Sequence, residues 1–218
     1  MRMRRKKNLT PRMDACAAIW AQDAFSRRGN WLAEREQTAL HLEIGCGKGQ
    51  FTADTAAANP QVLLVAIERV ANAMVIAMER TVAQNLKNVL FLDFFLSMGA
   101  ANLTELFAPR EVQRIYINFC DPWPGPRHAK RRLVAPAFLN SYKKVLAPGG
   151  EIHFKTDNAP LFVYALEQFA ATGYQLSEVT KDLHKDGIAG VMTDYEQKFH
   201  IAGTAICRCV ARWDGVQQ

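Results

Sequence analysis

The chain has 218 residues, 49% of them hydrophobic, and a formal net charge of +6. That length suits one α/β domain with a short extension, and the apolar content excludes a disordered chain. The basic surplus points to an anionic partner, nucleic acid or an anionic membrane face, without choosing between them.

No apolar run reaches the roughly 18 residues of a membrane span. The basic start Met1–Lys7 has no apolar segment behind it, so no secretory leader is expected. Residues 1–38 read as a basic N-terminal extension, with Asp14–Arg28 as one amphipathic helix stopped by Gly29-Asn30. Residues 39–218 read as one domain. Short apolar runs there alternate with helical stretches, the pattern of a parallel sheet with helices on both faces. The expected strands are Ala39–Ile44, Val62–Ile67, Val89–Asp93, Arg114–Phe119 and Glu151–Lys155, near-continuous apolar runs suited to burial on both sides. The expected helices are Gln50–Ala58, Val70–Gln84, Ala135–Val145 and Leu161–Ala171, with Ala147-Pro148-Gly149-Gly150 as a tight turn. The alternation then breaks: Tyr174–Val179 and Thr204–Trp213 read as strands around a short helix at Thr193–Phe199.

Gly45, Gly47 and Gly49 follow the first strand at alternate positions. They permit a sharp turn and close approach of a ligand to the backbone, with the next helix directing its amides at that ligand. A P-loop is excluded, because Gly47-Lys48 is followed by Gly49. Glu68 ends the second strand, where a carboxylate accepts both ribose hydroxyls of an adenosine. These features fit NAD and S-adenosylmethionine alike. Glu43 tips the balance, because a carboxylate there repels a pyrophosphate and attracts the amino or sulfonium group of S-adenosylmethionine.

Asp121-Pro122-Trp123-Pro124 follows the fourth strand, a ligand-binding position in open α/β sheets. The prolines stiffen the loop and Trp123 is placed to stack on a planar base. The cations Arg127, Lys130, Arg131 and Arg132, with His128, adjoin this loop and read as a phosphate-contacting strip. The cysteines Cys16, Cys46, Cys120, Cys207 and Cys209 are odd in number and form no C-x-x-C pair, so free thiols in a reducing cytoplasm are expected and no metal site. Cys46 and Cys120 flank the pocket and are expected to be open to thiol reagents.

Together, Glu43–Gly49, Asp121–Pro124, Arg127-His128, Lys130–Arg132, His153–Asn158 and Thr193-Asp194-Tyr195-Glu196 resemble the bacterial tRNA (guanine-N7)-methyltransferases of the TrmB type, from about residue 39 to the end. The resemblance implies a Rossmann-like class I S-adenosylmethionine-dependent methyltransferase fold, with a seven-stranded, mostly parallel sheet and a final antiparallel strand. It implies tRNA as partner and guanine 46 of the variable loop as target. The sequence is compatible with a cytoplasmic monomer or homodimer and shows no obligate protein partner. By similarity, Glu43, Gly45, Gly47, Gly49, Glu68 and Asp121 hold the cofactor. Asp121 is also the catalytic group, at the junction of cofactor and base. Gly125, Arg127, His128, Lys130, Arg131, Arg132, Asp157, Thr193, Asp194, Tyr195 and Glu196 bind substrate. Carboxylates suit that role, because guanine presents N1–H and N2–H₂ as donors. The chain departs from the family at two positions. Phe94-Phe95 replaces an acidic residue at the adenine, so Phe95 is expected to pack on the ring. Gly125 replaces a lysine. Two alternatives stay open: a catalytically weak tRNA-binding protein on the same scaffold, and a methyltransferase for another base. A nicotinamide oxidoreductase is disfavoured by Glu43 and by the lack of a Tyr-x-x-x-Lys pair.

Overall fold

A computed structural model describes residues 7–93 and 103–215. Its strands are β1 (Ala39–Ile44), β2 (Val62–Ile67), β3 (Val89–Leu92), β4 (Val112–Asn118), β5 (Leu146–Thr156), β6 (Gln175–Thr180) and β7 (Cys207–Trp213). They form a seven-stranded sheet of order β3-β2-β1-β4-β5-β7-β6, in which β7 runs antiparallel to both of its neighbours. The expected mostly parallel sheet with a final antiparallel strand is what the chain forms.

The strands are legible because they are apolar on both faces. In β2 every residue is buried: Leu63, Val65 and Ile67 enter one core while Leu64 and Ala66 enter the other, following the two-residue period of a strand. The first core is closed by α4 (Leu103–Leu106), α5 (Pro136–Val145) and α6 (Ala159–Ala171). The second is closed by α1 (Leu9–Asp14), α2 (Gln50–Ala58) and α3 (Ala71–Ala83). Each fully buried Leu or Ile in these cores stabilises by about 1.5–3 kcal/mol. Gly49 sets the contact between α2 and α3. Its φ is +75°, and a Cβ on it would lie 2.5 Å from Ala77 Cβ and 2.8 Å from Ala77 Cα, so no other residue fits without moving α3.

Two local expectations are corrected. Asp14–Arg28 is not one helix. α1 ends at Asp14, a 3₁₀ turn covers Ala17–Ile19, and turns follow. The buried residues Met13, Cys16 and Ile19 recur every third position, the 3₁₀ period. The backbone is then claimed by the sheet: Trp20 bridges Phe91 in parallel and Ala21 N donates to Phe91 O at 2.9 Å. Trp31 anchors the rest of the segment, stacking on Phe107 and donating Nε1 to Leu106 O at 2.9 Å. Ala147–Gly150 is not a tight turn but part of β5. Between the pairs Val112↔Leu146 and Arg114↔Glu151, Gln113 faces all of residues 147–150, a bulge made possible by Gly149 at φ +76°. Among the described residues no helix is long and apolar enough to cross a membrane.

Candidate active site

The carboxyl ends of β1, β2, β4 and β5 converge on one edge of the sheet, where open α/β sheets bind ligands. The turn after β1 is fixed by Gly45 N and Cys46 N, which donate to Ile67 O at 2.8 and 3.1 Å. Gly45 and Gly47 have φ of +85° and +58°, and a side chain at either would enter open space, as a turn that receives a ligand requires.

Glu68 lies at the mouth of this turn. Its carboxylate accepts from Gly47 N at 2.9 Å and Val70 N at 2.8 Å, which fixes its orientation and leaves lone pairs for further donors. Glu43 lies beneath the turn, 1% exposed, and accepts from Thr52 Oγ1 at 2.6 Å. Burial pushes its carboxyl up from 4.5 to about 7; Thr52, the amide of Asn118 and the charge of Lys155 offset part of that rise. Folding therefore favours the protonated form. The resulting stability is fully present below the ordinary carboxylate range and is lost as pH rises through about 7. Glu43→Gln removes this dependence. Without cofactor it matches the parent protein near pH 4 and exceeds it at pH 8 by about 3 kcal/mol. Denaturant unfolding at the two pH values checks this, and parallel pH curves for the two proteins would contradict it.

Cys46 and Cys120 do flank the site, but neither is the open thiol expected. Burial pushes the Cys46 thiol well up and that of Cys120 to about 12, so neither supplies thiolate at neutral pH.

The loop after β4 is strained. Phe119 and Trp123 hold φ of +53° and +42°, rare for bulky residues. Arg132 holds this backbone: Nε donates to Pro122 O at 3.0 Å, Nη2 donates to Trp123 O at 3.0 Å, and the guanidinium covers the Tyr164 ring at 4.3 Å. Phe119 N donates to Lys155 O at 2.9 Å. Asp121 projects from this loop with its side chain 66% exposed, 3.5 Å from Arg69 Nη2.

The basic run forms a 3₁₀ helix, Pro126–Arg131, opened by the extended backbone of Gly125. Residues three apart in such a helix share a face. His128 and Arg131 face Trp123, with ring centroids at 5.9 Å and the guanidinium 5.0 Å from the ring. Arg127 and Lys130 form a second face that does not touch Trp123; all four are exposed, while Arg132 turns inward. The run is therefore an outward pair, a pair on Trp123 and a clamp, not a uniform strip.

The Thr193–Glu196 segment starts α7 (Asp194–Ile201). Thr193 and Glu196 form a capping box. Glu196 is completely buried; its carboxylate also accepts from Lys155 Nζ at 2.8 and 3.0 Å and lies 3.0 Å from His184 Nε2. Asp194 pairs with Arg80, whose Nη1 also donates to Lys48 O at 3.1 Å, linking α7 to the glycine turn. Tyr195 is 62% exposed, and Asp157, just after β5, is exposed as well. Asp157 itself precedes the α6 cap, where Asn158 accepts from Leu161 N at 2.8 Å. Phe95 lies outside the described residues.

Sequence reasoning missed Arg80, Lys155 as an ion-pair partner, and Asn118. Asn118 ends β4, is 7% exposed, and sets its amide beside Glu43, whose carboxyl it helps to lower. A polar residue closing an apolar strand was the available signal.

Residues 37–209 match the family described as "Putative methyltransferase". A tRNA (guanine-N(7)-)-methyltransferase of Brevibacillus brevis is 45% identical over 188 residues, spanning 84% of this chain and 86% of that protein. A tRNA (guanine-N(7)-)-methyltransferase of Lactococcus lactis subsp. cremoris is 40% identical over 218 residues, spanning 98% of each. Among solved structures, the 16S rRNA methyltransferase KamB superposes with a TM-score of 0.62 at 17% identity, over 82% of this chain and 89% of that one. The precorrin-6y C5,15-methyltransferase of Geobacter metallireducens superposes with a TM-score of 0.55 at 14% identity, over 96% and 94%. These two share the fold, which is the class I methyltransferase sheet.

Proposed function

This chain belongs to the bacterial tRNA (guanine-N7)-methyltransferase family, and we propose that it methylates N7 of guanine 46 in the tRNA variable loop, using S-adenosylmethionine. The observation that carries the reading is one convergence. A glycine turn with two carboxylates meets, at the same sheet edge, an exposed carboxylate and an outward pair of cations. The residues fit the cofactor: Gly45 and Gly47 leave room for it, Glu68 has lone pairs for ribose hydroxyls, and Glu43 faces its amino-acid end.

S-Adenosylmethionine supplies a sulfonium-bound methyl group, and the positive charge of the sulfonium passes to the guanine with it. Guanine N7 carries a free lone pair and no proton, so the chain needs no strong base. Its contribution is alignment and electrostatics. Asp121 places a negative charge beside the base as its positive charge develops. Asp157 accepts from the donor edge of guanine, and the exposed Tyr195 ring stacks on the base or its neighbour. Thr193, Asp194 and Glu196 fix the start of α7, the helix that carries Tyr195.

Arg127 and Lys130 neutralise tRNA phosphates. His128 and Arg131 hold Trp123, and Arg132 holds the loop that carries Asp121. Arg127→Ala/Lys130→Ala therefore weakens tRNA binding and reduces the slope of log K against log salt by about 1–2. An unchanged slope would mean that these cations are only solvated. The target position is tested with a transcript that carries adenosine at 46. The reading expects no methyl transfer to it, and undiminished transfer would exclude position 46.

A further inference from the structure

We propose that Arg80 is a positioning residue that joins the glycine turn to α7, so that cofactor and tRNA each raise the affinity for the other; the inference rests on the cofactor and tRNA assignments above. Arg80 touches neither ligand in this account. Its Nη1 donates to Lys48 O, in the turn, at 3.1 Å and to Asp194 Oδ2 at 3.2 Å, and its Nη2 donates to Asp194 Oδ1 at 3.3 Å. A planar guanidinium holds such acceptors in a fixed relation, which the point charge of a lysine does not. The turn side of this bridge is rigid. α3 carries Arg80 and abuts the turn one helical turn earlier, where Ala77 lies against Gly49, and residues three apart share a helix face. The start of α3 is tied to the same turn, because Glu68 accepts from both Gly47 N and Val70 N.

The other side is looser. Of the eight residues of α7 Glu196 alone is buried, so no side chain in the apolar core anchors the helix. Its ties are made one by one: Glu196 to Lys155 of β5, Phe199 to Phe119 with ring centroids at 5.8 Å, and Asp194 to Arg80. A segment with so little apolar burial shifts at low cost. The Arg80–Asp194 pair, with side chains 26% and 33% exposed, adds little to the stability of the fold. It is nevertheless the tie that runs from α7 to the cofactor turn. A cofactor that fixes the turn therefore also fixes the helix that carries Tyr195, and tRNA held at Tyr195 fixes the turn in return. The ordering falls on whichever ligand binds first, and linkage makes the two effects one factor.

The test measures binding of an unmodified tRNA transcript to the full chain with and without saturating S-adenosylhomocysteine, and binding of S-adenosylhomocysteine with and without the transcript. In the parent chain each ligand lowers the Kd of the other by the same factor, roughly fivefold or more. Arg80→Gln brings that factor to within about twofold of unity. Asp194→Asn, which keeps the side-chain shape, gives the same loss of coupling and carries the test alone if Arg80→Gln does not fold. The double variant loses no more than either single one, because both act through one contact. A merely structural role for Arg80 would move the unfolding temperature or the separate affinities and leave the factor intact. Undiminished coupling in the variants, or a parent chain without coupling, would overturn the proposal while leaving the functional reading standing. A parent chain that binds neither ligand would overturn both.

Discussion

Asp121→Ala lowers the rate of methyl transfer to tRNA by about 10²- to 10³-fold and leaves tRNA affinity close to that of the parent chain. The argument begins with exposure. The Asp121 side chain is 66% exposed and its ionic contact is Arg69 at 3.5 Å, so its removal costs the fold little. What holds the loop is elsewhere: Arg132 grips Pro122 O and Trp123 O, and Phe119 N is tied to Lys155 O. The alanine variant therefore keeps its loop and its outward cations. It loses the negative charge that the proposed mechanism sets beside the reacting guanine, where exclusion of water by bound tRNA gives that charge most effect. Asp121→Asn separates charge from shape, and the same loss is expected for it. Single-turnover rates and tRNA binding, measured on both variants, decide the matter. Near-parental turnover in either would remove Asp121 from the chemistry.

Lys155→Met destabilises the protein by about 3–5 kcal/mol, a fall in unfolding temperature on the order of 10 °C. Lys155 and Glu196 form an ion pair almost sealed from water, the carboxylate completely so. Burial pulls the Lys155 ammonium below its ordinary value, and Glu196 opposes that shift. Removing the lysine leaves Glu196 buried with only His184 and the Thr193 backbone as partners. The double variant Lys155→Met/Glu196→Met is expected to be more stable than Lys155→Met alone, because the uncompensated charge is gone. Denaturant unfolding of the three proteins checks this, and strictly additive losses would contradict it. Turnover should fall with Lys155→Met as well, since the pair fastens α7, and with it Tyr195, to β5.

The sheet could be read from the sequence because parallel strands buried on both faces are apolar runs, as in Val62–Ile67. The glycine turn and its two acids were equally visible, since residue type and spacing alone define them. What the sequence hid was set by tertiary contacts. Asp14–Arg28 has passable helical spacing, but Trp20 and Ala21 give their backbone to Phe91 at the sheet edge. The basic run looked uniform along the chain, and only its 3₁₀ winding separates Arg127 and Lys130 from the pair on Trp123. Arg132 and Glu196 look like surface charges as letters, yet one clamps a loop and the other is fully buried. Asn118 carried no motif at all, and its place beside Glu43 exists only in three dimensions.

The central claim is methyl transfer to guanine N7 of tRNA. Its most direct test incubates the protein with labelled S-adenosylmethionine and an unmodified tRNA transcript, then maps the product by borohydride–aniline cleavage and mass spectrometry. The account predicts a single 7-methylguanosine, at position 46, with strand cleavage there alone. A methyl group on another base or at another atom of guanine, or tRNA bound without any transfer, would contradict it.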